Sequence, residues 1–366
     1  MRAVAIVDGE HYASVVRHAL AELPYEFAAA VLVGGREKLR GGEEYGVPLE
    51  PDVDGAMDRH RPEVVVDLSD EPVLGPVDRL ALVSRVLARG VPYVGADFRF
   101  DPPERAAFPA PSIAVAGTGK RVGKTAVTGH LARLLATEHD VVVVAMGRGG
   151  PLQPETITVP PTLEALVELS RTGRHAASDH LETAVVAGVR TVGCRRCGGG
   201  LAGAVAVSNV AQGAEIAARL APDVVVFDGS GAAMPPIAAD RTIIVVGGHQ
   251  DPAVAVGFLN TYRLLLADLV VVTMADEGVD WRALRDRVAA VARDAPVVAT
   301  VLRPRPLGDV RGRTVAFFGT APASAHARLT EHLESAHGAR VAHVSGSLAD
   351  RRALHAELED VDAEVF

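Results

Sequence analysis

Lysine, cysteine and aromatic residues are scarce in this 366-residue chain. The two cysteines are too few for a disulfide framework, and a 4% aromatic content favours sheets that are covered by helices rich in small residues. Apolar runs long enough for a membrane-spanning helix are also missing. The first ten residues are too short and too soon acidic for a signal peptide, so the sequence predicts a soluble cytoplasmic protein.

The chain also lacks an excess of positive charge, because its formal net charge at pH 7 is -9. A nucleic acid needs a basic protein face, which argues against nucleic acid as a general partner. The overall charge is still compatible with a local basic pocket for a small anion.

Apolar runs alternate with helical patterns along the chain, which is typical of parallel α/β sheets. We predict an N-terminal Rossmann-like α/β domain at residues 1–100, a proline-rich linker at 101–111, a second α/β domain at 112–302 and a small C-terminal α/β unit at 303–366. Strands of the second domain are predicted at residues 112–116, 141–146, 204–207, 224–227, 242–246, 269–273 and 296–301. The apolar residues 361–366 also have a strand-like pattern.

The strongest motif is a glycine-containing loop between the predicted strand 112–116 and a predicted helix 125–137. Backbone N–H groups of such a loop and of the helix start can hold phosphates. At its end, Lys124 can reach the β- and γ-phosphates, and the Thr125 hydroxyl can bind Mg²⁺. The strict pattern has glycine where Thr118 stands. We predict nucleotide binding by Gly117, Thr118, Gly119, Lys120, Arg121, Val122, Gly123, Lys124 and Thr125.

The distribution of lysine supports this interpretation. Of 37 basic residues only three are lysines, and two of them, Lys120 and Lys124, lie in this loop. A compact ammonium fits a tight phosphate site that a planar guanidinium does not. The second domain is therefore predicted to be a P-loop NTPase domain that uses ATP.

A Mg²⁺ ligand is expected at the end of a later apolar strand. Asp228 follows such a strand, and Gly229 and Gly231 next to it allow close approach of the backbone to phosphate. The alternative for Asp228 is a carboxylate that only caps a turn.

Arginines in two glycine-rich segments are candidates for binding an anion. Arg148 follows a strand, and Arg195 and Arg196 lie between Cys194 and Cys197 in residues 193–200, which we expect to form a loop. The alternatives are solvated arginines and buried thiols. A zinc site would need ligands beyond this one cysteine pair.

Titratable groups also collect in residues 174–182 and at the N-terminal strand ends. In the first segment, His180 can transfer protons or bind phosphate, but a capping or core role is equally open. In the N-terminal domain, Asp8, His11 and Asp70 can hold a metal, orient a substrate or cap helices. His249 to Asp251 follow another strand and can approach the nucleotide.

Several of these motifs together resemble the cyclic 2,3-diphosphoglycerate synthetase family. The nucleotide loop alone is similar to that of dethiobiotin synthetase as well, so it does not choose the family. The further matching segments are residues 7–12 (VDGEHY), 67–72 (DLSDEP), 94–103 (VGADFRFDPP), 146–151 (MGRGGP), 193–200 (GCRRCGGG) and 229–233 (GSGAA).

The resemblance implies a dethiobiotin-synthetase-like P-loop domain and ATP-driven closure of a phosphoanhydride within 2,3-diphosphoglycerate, with release of ADP and phosphate. It implies that Lys120, Lys124 and Arg148 act in catalysis and that Mg²⁺ sits on Thr125 and Asp228. The substrate residues that it implies are Arg148, His180, Arg195, Arg196 and Ser230. It also implies a homodimer.

The chain departs from the family pattern in two places. Asp228 stands where glutamate is expected before Gly-Ser-Gly, and a shorter carboxylate can also bind Mg²⁺. The part after Arg303 is shorter than the family's C-terminal region, so we expect a truncated last unit.

Two other classes of function stay open on the residues alone. Another ATP-dependent ligase would release phosphate only when both a carboxylate and its acceptor are present. A nucleotide switch or metallochaperone would use Cys194 and Cys197, and it would contain stoichiometric zinc or nickel that a double Cys→Ser variant loses.

The lysine of the loop gives a first testable prediction. Lys124→Ala is expected to abolish ATP binding and turnover, because no other side chain of the loop end can reach the β- and γ-phosphates. ATP binding measured by calorimetry and phosphate release are the readouts. Unchanged turnover in this variant would contradict the assignment of the loop.

Overall fold

A computed structural model of the protein describes residues 1–39, 41–173, 179–276 and 280–366. The chain forms two compact units, Met1–Thr300 and Val301–Phe366. Two largely parallel sheets lie in the first unit, which confirms the predicted α/β class.

The N-terminal sheet is built from apolar strands that are buried on both faces. Its strands are β1 (Arg2–Val7), β2 (Glu26–Leu32), β3 (Leu49–Glu50), β4 (Val64–Asp67), β5 (Tyr93–Val94) and β6 (Arg99–Phe100), and its helices are α1 (Ala13–Glu22), α2 (Val53–His60) and α3 (Pro76–Ala88). The order is β3-β2-β1-β4-β5-β6, parallel except for the β5–β6 pair. Helix α1 covers one face through Val16 and Leu20, and α3 covers the other through Val83 and Leu87.

The second sheet has the order β10-β11-β9-β13-β8-β15-β16-β17, with β12 added at the end of β11. Its described strands run parallel except for β10 and β12. Strands of this region are β7 (Ala106–Ala107), β8 (Ser112–Gly117), β9 (Val141–Gly147), β10 (Glu155–Ile157), β11 (Arg190–Cys197), β12 (Val207–Ser208), β13 (Val224–Asp228), β14 (Ile237–Ala238), β15 (Arg241–Gly247), β16 (Leu269–Thr273) and β17 (Val297–Ala299). Its helices are α4 (Lys124–Leu135), α5 (Leu163–Arg171), α6 (Asp179–Ala187), α7 (Val210–Arg219), α8 (Pro252–Val256), α9 (Asn260–Leu265) and α10 (Trp281–Val291).

Strand β11 corrects two predictions about the second sheet. The loop expected at residues 193–200 is strand as far as Cys197, and the strand expected at 204–207 is reduced to β12, which pairs with the end of β11. The glycines serve close helix packing here, because a Cβ on Gly193 would lie 2.5 Å from His180 Cγ in α6. On the other face, a Cβ on Gly213 in α7 would lie 2.2 Å from Cys194 Sγ.

The proline-rich segment 101–111 is fixed against the second sheet. Its β7 residues pair in parallel with β14, and Phe108 packs edge-on against Phe227 with ring centroids 5.0 Å apart. Arg105 Nη2 donates to Tyr262 Oη over 3.0 Å. The segment therefore connects the two sheets without being a free tether.

The C-terminal unit contains the parallel strands β18 (Thr314–Phe318) and β19 (Arg340–Ser345) with helices α11 (Ala323–His337) and α12 (Arg351–Asp360). Val310, Val315, Leu333 and Ala339 form its small core. The strand expected at residues 361–366 is wrong, because Val365 makes only an isolated bridge to Val315. Across the described parts of both units, every helix is too short or too polar to span a bilayer.

Candidate active site

The loop between β8 and α4 has the sharp backbone that a phosphate site needs. Gly123 has a φ of +81° and Arg121 a φ of +61°, the latter in a region that a non-glycine residue rarely adopts. Gly117 is required by space, since a Cβ there would lie 2.8 Å from Val122 Cγ2 and 3.1 Å from Gly231 O. The strand–loop–helix context expected for the motif is therefore present.

Two different sets of amides occur in this loop. Gly117 N donates to Gly231 O over 3.2 Å and Thr118 N to Val245 O over 3.0 Å, so both amides hold the loop in place. Within the described residues, no protein acceptor is found for the N–H groups of residues 119–123. With the first amides of α4, these N–H groups form the surface that can bind phosphate.

Thr118 explains why the loop departs from the strict glycine pattern. Its side chain is buried, and its Oγ1 donates to Gln250 Oε1 over 2.6 Å. Gln250 Oε1 also accepts from Gly247 N over 2.9 Å. The segment after β15 thus contacts the nucleotide loop through Gln250, whose side chain holds Thr118 in place.

Lys124 and Asp228 form a buried ion pair at the centre of the site. Lys124 Nζ donates to Asp228 Oδ1 over 2.5 Å, and Thr128 Oγ1 donates to the same oxygen over 2.7 Å. The side chains are only 10% and 4% exposed. Both contacts fall on Oδ1, which leaves Oδ2 as an acceptor, and Thr125 next to Lys124 is half-buried.

Two acidic residues of α6 extend the site, and sequence reasoning missed their role. Gly147 at the end of β9 leaves room for Asp179, since a Cβ there would lie 2.6 Å from Asp179 Oδ2. The pKa of Glu182 is raised, mainly by its partial removal from water and then by Asp179, whereas Lys124 opposes the shift. Glu182 nevertheless remains exposed to solvent. The i, i+3 spacing of two acids at a predicted helix start was the available signal.

This donor set fits Mg²⁺ bound together with phosphate. Among the described residues, no group of three or more Asp, Glu, His or Cys side chains is arranged to hold a metal alone. Mg²⁺ usually keeps several waters and binds through one or two carboxylates plus substrate phosphates. Asp228 and the Thr125 hydroxyl would hold the ion, which supplies charge neutralisation at the phosphates.

The structure brings Arg148, Arg196 and Ser230 together at neighbouring strand ends. Arg196 Nη2 donates to Ser230 O over 2.9 Å and to Ser230 Oγ over 3.1 Å. Burial lowers the pKa of Arg196, and repulsion from Arg148 adds to this effect. Within the described chain, the buried Nε–H of Arg196 has no acceptor. Two close guanidinium groups with unused donors are suited to a multiply charged anion.

Arg195 and His180 occupy different surroundings. Arg195 precedes Arg196 in β11, so the two side chains leave opposite faces of the strand. Its backbone N donates to Asn209 Oδ1 over 2.7 Å, and its side chain is exposed. His180 is only 5% exposed and lies on Gly193, with Nε2 3.8 Å from Glu155 Oε2, which supports the core role. Residues 174–178 of that segment lie outside the described residues.

The cysteines have no metal-binding arrangement in the described part of the chain. Cys194 is buried and Cys197 is exposed, and neither forms a disulfide. Burial raises the pKa of Cys194 to about 12, so it stays a thiol at neutral pH. This argues against the metallochaperone alternative.

The acidic residues at the N-terminal strand ends hold loops. Asp8 accepts hydrogen bonds from the backbone N of Glu10 (2.9 Å), His11 (3.2 Å) and Asp70 (2.7 Å). Burial acts to raise its pKa, but the hydrogen bonds from Asp70 and His11 prevail and lower it. Asp8 thus ties the end of β1 to the end of β4, and it holds loops rather than capping a helix, because α1 has no side-chain cap.

Comparison with known proteins identifies the family. Sequence models of the N-terminal, P-loop and C-terminal domains of cyclic 2,3-diphosphoglycerate synthetase match residues 2–101, 112–301 and 306–366. The chain belongs to the cyclic 2,3-diphosphoglycerate synthetase family. The predicted resemblance is confirmed, and a P-loop domain in a synthetase implies ATP as co-substrate with Mg²⁺.

Relatives of this family cover nearly the whole chain. A cyclic 2,3-diphosphoglycerate synthetase of Rubrobacter xylanophilus is 49% identical, over 98% of this chain and 86% of that protein. One of Methanothermobacter thermautotrophicus is 41% identical, over 99% and 85%. Among solved structures, LpxK from Aquifex aeolicus in complex with ATP is 15% identical, over 67% of this chain and 73% of that chain. Its TM-score of 0.39 is too low to support an argument.

The Lys124–Asp228 pair predicts how the metal affects nucleotide binding. Asp228→Asn should remove most of the gain in ATP affinity that Mg²⁺ gives, because an amide is a far weaker Mg²⁺ ligand than a carboxylate. Titration calorimetry with ATP, with and without Mg²⁺, measures this gain. Asp52→Asn, an exposed cap of α2, is the matched control and should retain it. An undiminished Mg²⁺ effect in Asp228→Asn would show that the metal lies elsewhere.

Proposed function

We propose that this chain uses ATP to close an intramolecular phosphoanhydride in 2,3-diphosphoglycerate, giving cyclic 2,3-diphosphoglycerate, ADP and phosphate. The observation that carries the proposal is that a nucleotide-binding group and an anion-binding group lie at adjacent strand ends. The nucleotide loop with Lys124 and Asp228 follows β8 and β13, and the arginine pair Arg148 and Arg196 follows β9 and ends β11. The family relatives carry the same activity in their name.

The reaction can proceed in two balanced steps. An oxygen of one substrate phosphate attacks the γ-phosphorus, and the bond from that phosphorus to ADP breaks. An oxygen of the second substrate phosphate then attacks the phosphorus that carries the transferred group. The ring closes as inorganic phosphate leaves. Each step moves charge between oxygens, so positioned cations are what the protein must supply.

The residues take roles that follow from their contacts. Lys124 exchanges its pairing with Asp228 for the ATP phosphates, and the exposed Lys120 adds charge at the loop. Arg148 and Arg196 hold the two substrate phosphates close together, and Ser230 orients Arg196. Arg195 adds positive charge from the same strand. Orientation of two reacting groups can lower a barrier by about 7–11 kcal/mol in favourable cases.

The location, oligomeric state, partners and domain division of the protein belong to the same proposal. The enzyme acts in the cytoplasm as a homodimer, and neither nucleic acid nor membrane is a partner, in line with the net charge of -9. The division into domains at residues 1–100, 112–302 and 303–366 is also part of it. Light scattering is expected to give a mass near twice the 38.2 kDa of the chain. A mass of one chain at micromolar concentration would contradict the homodimer.

Measurement of phosphate release from ATP in the presence of Mg²⁺ tests the reaction. 2,3-Diphosphoglycerate should stimulate release of one phosphate per ATP, whereas 2- and 3-phosphoglycerate should not, because each lacks the second phosphate that closes the ring. Arg196→Lys is expected to raise the KM for the diphosphate by roughly tenfold or more, since an ammonium cannot contact Ser230 and a phosphate in the same fork geometry.

Controls separate this reaction from other ATP chemistry. Arg219→Lys, in the last turn of α7, should leave the KM unchanged. Absence of any stimulation by 2,3-diphosphoglycerate would remove the proposal. Release that requires both a carboxylate and an amine would favour the other ligase class.

A further inference from the structure

A buried arginine, Arg263, has no carboxylate partner within the described part of the chain. Arg263 in α9 is 3% exposed. Its Nε donates to Ala232 O (2.9 Å), Nη1 to Leu259 O (2.9 Å) and to Asn260 Oδ1 (3.2 Å), and Nη2 to Leu201 O (3.1 Å). Burial lowers its pKa to about 10, so the group is charged at neutral pH. Burial of a cation among neutral oxygens costs free energy, so we expect this residue to have a role in the fold.

Arg263 determines which way the amide of Asn260 faces. A guanidinium has donors only, so the side-chain atom of Asn260 that faces it must be the oxygen. The NH₂ group then faces the other way, where Nδ2 donates to Thr118 O over 3.0 Å and to Val254 O over 2.9 Å. The orientation of one amide is thus transmitted to a carbonyl of the nucleotide loop.

The carbonyl of Thr118 in turn sets the direction of the next amide. In a trans peptide the C=O and the following N–H point in opposite directions. Asn260 holds Thr118 O on one side, so the N–H of Gly119 points to the other side. It is the first loop amide that has no acceptor within the described residues. The Thr118 end of this peptide is further fixed by Gln250.

We propose that Arg263, acting through Asn260, is a positioning residue that fixes the Thr118–Gly119 peptide and thereby presents Gly119 N–H to the ATP phosphates. The proposal rests on the proposed function only in taking ATP as the ligand. The same guanidinium holds Ala232 O, so it also fixes the turn that carries Ser230. One residue therefore sets the nucleotide side and the arginine side of the site together.

The helix that carries this pair is held by the N-terminal domain. Helix α3 packs against α9, and Ser84 Oγ in α3 donates to Phe258 O over 3.3 Å. Phe258 has a φ of +50°, which marks a sharp turn just before α9. The N-terminal domain thus supports the backbone from which Asn260 and Arg263 project.

Asn260→Asp separates positioning from simple stability. The variant keeps the shape and gives Arg263 a carboxylate, but it replaces the donor that faces Thr118 O with an oxygen that repels it. We expect a melting temperature close to that of the unaltered protein, because the ion pair with Arg263 offsets the hydrogen bonds lost at Thr118 O and Val254 O. We also expect ATP·Mg²⁺ binding that is about 10- to 100-fold weaker, as for loss of a hydrogen bond to a charged group. Calorimetry and thermal denaturation measure the two effects.

Thr261→Val is the matched control, because it removes the hydrogen bond from Thr261 Oγ1 to Val256 O in the same helix. It should lower the melting temperature and leave ATP affinity unchanged. A comparable loss of affinity in this variant would show that any weakening of α9 suffices, and it would overturn the proposal. Wild-type ATP affinity in folded Asn260→Asp would overturn it as well.

Arg263→Lys is the second test if Asn260→Asp does not fold. A single ammonium cannot satisfy Ala232 O, Leu201 O and Asn260 Oδ1 at once, so the Asn260 amide becomes free to turn. We expect the same loss of ATP affinity, and wild-type affinity in folded Arg263→Lys would overturn the proposal. Binding needs no second substrate, so this readout stands even if 2,3-diphosphoglycerate fails to stimulate turnover.

Discussion

Parallel pairing is the constraint on which the site depends. Strands β8, β9, β11 and β13 run in the same direction, so they end at the same edge of the sheet. Parallel pairing alone therefore brings together loops from distant parts of the sequence. The register is tight, because Asp228 lies opposite Val115 and Arg195 lies opposite Gly147. A shift of one residue in β13 or β11 would turn these side chains to the wrong face.

Charged side chains form two neighbouring groups at this edge, and Asp179 interacts with both of them. Asp228, Asp179 and Glu182 gather around Lys124, whereas Arg148 and Arg196 approach each other across β9 and β11. The acidic side suits a metal that accompanies the nucleotide, and the basic side suits a substrate with two phosphates. Glycines make this closeness possible. A Cβ on Gly150 would lie 2.1 Å from Cys194 O, so the loop that carries Arg148 can touch β11 only at a glycine.

Local chemistry made the fold class, most strands and the nucleotide loop predictable, since apolar runs and the Gly-Lys-Thr end act over short distances. Strand β11 was missed because the glycines in and after it resemble loop signals, whereas Gly193 is there to admit His180 of α6. The roles of Glu182, Asn260 and Arg263 were missed for the same kind of reason. Glu182 lies 46 residues from Asp228, Asn260 lies 142 residues from Thr118, and Arg263 lies 31 residues from Ala232. No local sequence pattern reports contacts over such separations.

The buried pair of Lys124 and Asp228 also carries a logical consequence. A nucleotide that draws Lys124 away leaves the Asp228 carboxylate with the Thr128 hydroxyl but without a counter-charge, and a cation that draws Asp228 away leaves the Lys124 ammonium without one. Either arrival alone leaves one buried charge without compensation, which is unfavourable. When both arrive, each half of the pair finds a new partner of the right sign. Opening of the pair is therefore least unfavourable when the metal and the nucleotide bind together.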